Sequence, residues 1–160
     1  MNKVKSKKLV SLVLSMAMVL SVMPQMAINV EAASLPDVAS DGSELTPYII
    51  DEADDLVWLA EQVNAGTMGT SKHFMQINDI DLSGYTWTPI GSDTSPFIGT
   101  FDGDGHIISG YTAGTYTDSN MGECSGLFGN IGTDGTVTKL GVNGANTSAK
   151  YVGGIAACNY

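Results

Sequence analysis

There is no arginine anywhere in this 160-residue chain, and 7 basic residues, all lysine, face 17 acidic ones. Four of the seven, Lys3, Lys5, Lys7 and Lys8, are spent in the first eight residues, so Lys72, Lys139 and Lys150 serve all the rest. A surface so poor in cations repels phosphate backbones and anionic lipid, which argues against nucleic-acid or membrane-surface partners. Cysteine is scarce too. Cys124 and Cys158 are no disulfide framework. They read as one bridge or, the favoured reading, as two small buried apolar side chains. His73 and His106 are the only histidines, and no HExxH or nucleophile motif surrounds them. Both read as solvated or satisfied strand residues.

Long apolar runs are absent except at the N-terminus. Residues 9–23 form an uncharged stretch behind the four lysines, and Val30-Glu31-Ala32 follows with small residues at −3 and −1. These are the parts of a secretory signal, with cleavage expected before Ala33. Pro24 and Gln25 interrupt the run short of the roughly 20 residues a spanning helix needs, so no membrane insertion is expected after cleavage. Removing residues 1–32 takes four lysines and Glu31, leaving 3 basic and 16 acidic residues, a net −13 over 128 residues. That length suits one domain.

Residues 33–45 read as a polar spacer. Residues 51–65 carry the one clear helical pattern, with Leu56, Leu59, Ala60 and Val63 on a single stripe. Asp51 reads as its N-cap, Glu52, Asp54 and Asp55 suit the positive end of its dipole, and Gly66 suits its C′ position. Beyond Gly66 the chain breaks into short apolar pieces, such as 74–77, 80–82, 86–90, 97–101, 127–131 and 136–142. Turn residues bound each piece, a pattern of many short strands.

A gapless alignment sets residues 95–114 on residues 125–144. Ser95, Gly99, Asp104, Gly105 and Gly114 recur as Ser125, Gly129, Asp134, Gly135 and Gly144. Such a period signals a solenoid. The fold expected is therefore all-β, a right-handed parallel β-helix with an N-terminal amphipathic capping helix, incomplete at the C-terminus. In that arrangement Phe97 would stack on Leu127, Phe101 on Ile131 and Ile107 on Val137.

The run Gly126-Leu127-Phe128-Gly129, then Gly135-Thr-Val137 and Leu140-Gly-Val142, resembles the GLUG-motif repeats of bacterial secreted and surface proteins. Gly153-Gly154-Ile155 is similar to the start of a further repeat, although Ala156 and Ala157 depart from the pattern. The resemblance covers residues 42–160. It implies that 46–160 is the N-terminal cap and first coils of a GLUG-type β-helix. The role it implies is structural display or adhesion, within a larger protein, toward an extracellular ligand such as a glycan or a host or matrix protein. It carries no catalytic residues. The alternative is the non-catalytic leader of an extracellular carbohydrate-active enzyme or peptidase whose active domain lies beyond residue 160.

Asp102 and Asp104, with Asp79 and Asp81, are candidate calcium ligands by their hard oxygens. The favoured reading gives them to turns, where Asp bonds its own backbone and Gly accepts positive φ. No cofactor is expected. A uronate lyase would want cationic groups that this chain lacks. Trp58 and Trp87 read as packing residues before sugar platforms.

Overall fold

In the computed structural model, residues 40–113, 124–146 and 151–160 are described. They belong to one of the chain's two compact units, residues 32–160. The expected signal at 1–32 and most of the spacer at 33–45 lie outside the described residues, as does Gly114 of the repeat.

The helix stands where its periodicity puts it. Helix α1 (Ala53–Asn64) buries Leu56, Leu59, Ala60 and Val63, the predicted stripe. Gly66, at φ +69°, ends it. The Gly66 N–H donates to Val63 O at 2.9 Å and the Thr67 N–H to Gln62 O at 3.0 Å, closing a Schellman motif. The N-cap is Glu52 instead of Asp51. Asp55 folds back over it, and its Oδ2 accepts the N–H groups of Asp51 at 3.0 Å and Glu52 at 3.3 Å.

That arrangement makes the helix start sensitive to pH. Asp55 is buried. Burial, reinforced by the Asp51 carboxyl, pushes the Asp55 carboxyl from the ordinary 3.8 up to about 6, although the two N–H donors pull the other way. With the folded value above the unfolded one, the associated stability is full below 3.8 and is lost as pH rises through about 6. Asp55→Asn keeps an oxygen acceptor and removes the titration. Thermal midpoints measured across this window should decline for the native chain and stay flat for the variant. Parallel curves would refute the assignment.

The strands are short. Strands β1 (Tyr48–Ile50), β2 (His73–Gln76), β4 (Thr100–Asp102) and β8 (Thr136–Thr138) form a four-stranded sheet in the order β1-β2-β4-β8. A second sheet holds β3 (Ile80–Asp81), β5 (Ile107–Ala113) and β9 (Gly141–Asn146). Two pairs complete the set: β6 (Cys124–Ser125) with β10 (Tyr151–Val152), and β7 (Phe128–Ile131) with β11 (Ala156–Asn159). All these pairings are parallel. Residues 86–90, read as a strand, contribute a single bridge from Ile90 to Phe128. Between the sheets runs a chain of rings. Phe74 and Phe97 lie 6.0 Å apart by centroid, Phe97 and Phe128 5.1 Å, and Phe101 and Phe128 5.7 Å.

This corrects the expected fold class. The described residues form four separate small parallel sheets and one helix, with no closed right-handed β-helix, and the 30-residue copies do not stack. Phe101 pairs with Val137, Phe97 bridges to Ile131, and Ile107 pairs with Gly141. The step between partners is not constant. It is 27 residues from Phe74 to Phe101 but 36 from Phe101 to Val137. The reason is local. Asp104-Gly105 turns the chain between β4 and β5, whereas Asp134-Gly135 turns it between β7 and β8. Turn chemistry is alike at any corner, so aligning Asp-Gly on Asp-Gly matched two corners that are not equivalent.

Candidate functional site

The structure brings the two motif segments together. The Gly126-Leu127-Phe128-Gly129 run lies directly against Gly153-Gly154-Ile155. The Leu127 N–H donates to Gly154 O at 3.1 Å, Phe128 N–H to Ile155 O at 2.7 Å, and Gly153 N–H to Ser125 O at 3.0 Å. Glycine at position 126 is required by this approach, because a Cβ there would sit 2.8 Å from both Gly153 O and Phe128 O. Leu127 and Phe128 are fully buried, whereas Ile155 is exposed at the rim. The Tyr111 hydroxyl, buried beneath, donates to Gly154 O at 2.8 Å and so ties β5 to this segment. Burial raises the Tyr111 phenol above its ordinary value.

Sequence reasoning disfavoured the feature that locks this region. Cys124 and Cys158 are bridged, with their Cα atoms 6.0 Å apart. The reading as two independent buried side chains is therefore corrected. The signal that would have found the bridge is register. Once β6 faces β10 and β7 faces β11, the end of one pair stands beside the other.

The acidic candidates sit in turns. Asp102 Oδ1 accepts the Asp104 N–H at 2.9 Å, and its Oδ2 takes Lys139 Nζ at 2.8 Å. That ammonium, and the backbone donor after it, hold the Asp102 carboxyl below its usual range. Asp104 is exposed in the turn, at φ +47°. Asp79 Oδ1 accepts the Ile107 N–H at 2.9 Å and lies 3.2 Å from His106 Nδ1, and both lower its pKa. Asp81 closes a turn on Ser83 through both carboxylate oxygens. Among the described residues, the acidic group with oxygens within 4.8 Å of one another is Asp51, Glu52 and Asp55 at the start of α1, and none of the four calcium candidates belongs to it.

Both tryptophans pack. Trp58 stands edge-on to Tyr48 at 5.6 Å, and Trp87 is buried. His73 lies half-buried in β2. One concavity, not foreseen from sequence, opens between the C-terminus of α1 and residues 94–99. It has a volume of about 270 Å³, with Thr70, Thr94 and Ser95 at its polar side and Met68, Phe74 and Phe97 below. Lys72 borders it, but its ammonium is engaged by Asp41 O at 2.8 Å.

No family model matches the chain, and no solved structure does. A protein of Evansella cellulosilytica named as a Gly-rich membrane protein is 30% identical over 140 residues, 81% of this chain and 15% of that protein. Halomucin of Haloquadratum walsbyi is 31% identical over 123 residues, 69% of this chain and 1% of its own length. The chain thus spans a small part of these relatives. Among the described residues, no helix is long and apolar enough to cross a membrane.

Proposed function

We propose that the chain is an exported module for structural display or adhesion at the cell surface, working within a longer protein. One observation carries this reading. Sequence like 81% of this chain makes up 15% of one longer protein, and sequence like 69% of it makes up 1% of another, and the names of both are of the surface type. The signal-like residues 1–32 and the GLUG-like pairing of Gly126–Gly129 with Gly153–Ile155 support it. So does the use of Asp79, Asp81 and Asp102 as turn and ion-pair residues, which leaves them bonded to their own chain. The ligand class is a glycan or a matrix protein.

The test is expression in a bacterial host with a C-terminal epitope, followed by N-terminal sequencing and surface labelling of intact cells. The mature chain should begin at Ala33 or within a few residues and should be labelled from outside. Intact Met1 in the cytosol would refute export. Absence of binding across panels of immobilised glycans and matrix proteins would refute adhesion while leaving display standing.

A further inference from the structure

We propose that the concavity between the C-terminus of α1 and residues 94–99 binds one neutral sugar ring of a glycan. Its volume of about 270 Å³ lies at the small end of ligand sites, sufficient for a single ring and too small for an extended ligand. Its walls differ in character. Met68, Phe74 and Phe97 form an apolar floor, and the two phenylalanine rings are themselves buried. Thr70, Thr94 and Ser95 stand on the polar side. Thr94 Oγ1 lies 3.3 Å from Ser92 Oγ, whereas the Thr70 and Ser95 hydroxyls bond to no protein atom among the described residues. An apolar floor with unengaged hydroxyls above it suits a ligand of the same make-up, a ring with a C–H face and hydroxyl groups at its edge.

Charge narrows the class further. The chain has 17 acids, yet none of the described residues lining the concavity is Asp or Glu. A bound cation would find no carboxylate there. Val63 and Gly66 bring the carbonyl end of α1 to one wall, and the last turn of the helix holds no basic residue. That wall is partially negative and disfavours an anion. Lys72 borders the site, but Asp41 O holds its ammonium at 2.8 Å, over the Tyr48 ring at 5.9 Å from the centroid. A neutral ligand meets none of these penalties. Gly69 keeps the space open, since a Cβ built there meets nothing within 4 Å. The inference rests on the adhesive reading above and gives it a place on the molecule.

Titration of the purified chain with methyl glucoside, methyl galactoside, N-acetylglucosamine, glucuronate and N-acetyl-leucine amide, followed by amide resonances in heteronuclear NMR, tests it. A neutral sugar should shift resonances of residues 68–70 and 94–98. Dissociation constants in the millimolar range are expected for a ring of about twelve non-hydrogen atoms. Binding should be the same from about 50 to about 500 mM salt, because no charge pair is screened, and glucuronate should bind more weakly. Gly69→Leu fills the open space and should abolish the shifts. Thr70→Val and Ser95→Ala should each weaken binding about three- to tenfold, the worth of one hydrogen bond. Melting curves check that each variant folds, and if one does not, the others decide. Leu45→Ser, at a 93% exposed position before β1, should change nothing. Glycan binding by the whole chain that ignores all three site variants would overturn this site and leave adhesion standing. Preference for glucuronate, or for N-acetyl-leucine amide as the stand-in for a peptide side chain, would overturn the ligand class. No binding to any glycan or matrix protein would overturn both readings together.

Discussion

Breaking the Cys124–Cys158 bridge is expected to cost about 4 kcal/mol of stability, the loop-closure entropy for cysteines 34 residues apart. The effect should concentrate at the end of the chain. Among the described residues strand β11 pairs with β7 alone, and its residues Ala156, Ala157 and Cys158 are only half-buried. Little apolar burial therefore holds it once the covalent link is gone. Denaturant midpoints should be compared for the oxidised chain, the reduced chain and the Cys124→Ala/Cys158→Ala double variant. The last two should coincide well below the first. Amide exchange should accelerate first in residues 156–159. Identical midpoints in oxidised and reduced forms would show that the bridge holds nothing the sheet does not.

Truncating Phe128 to Ala should cost about 3 to 5 kcal/mol, the range for a fully buried aromatic. Its ring touches Phe97 and Phe101, at centroid separations of 5.1 and 5.7 Å, so removal empties the meeting point of side chains from β4, β7 and the bridge residue Phe97. Its backbone is flanked on both sides, by Ile90 and by Ala156. Cavity and lost ring contacts therefore both contribute, with few neighbours free to collapse inward. Lys139→Ala is the control. Its ion pair with Asp102 is 2.8 Å long, but the lysine is 62% exposed, and pairs of that kind contribute at most about 1 kcal/mol. Lys139 also sits at φ +48°, a conformation that costs any side chain something, so little net loss is expected. Comparable losses in the two variants would mean that the ring cluster is not the core.

Much of this protein was legible as sequence because the signals were local. The stripe of Leu56, Leu59, Ala60 and Val63, together with Gly66, sufficed for the helix. A period of 3.6 and a positive-φ stop are properties of one segment. The segmentation into short strands was equally readable, since Gly and Asp mark corners by their own backbone chemistry. The charge asymmetry needed no structure either, with no acid after Asp134.

Register was another matter. Whether Phe101 faces Ile131 or Val137 depends on how many residues each connection consumes, and turn residues do not record that length. The expected solenoid failed there. The cysteine pairing failed for the same reason, because residues 34 apart meet only when β6 and β11 are brought side by side. That the acid-free strands β8, β9, β10 and β11 each stand at the end of a sheet among the described residues was likewise decided by the tertiary structure. Composition states which side chains lack charge, but strand order alone determines where in a sheet each of them stands.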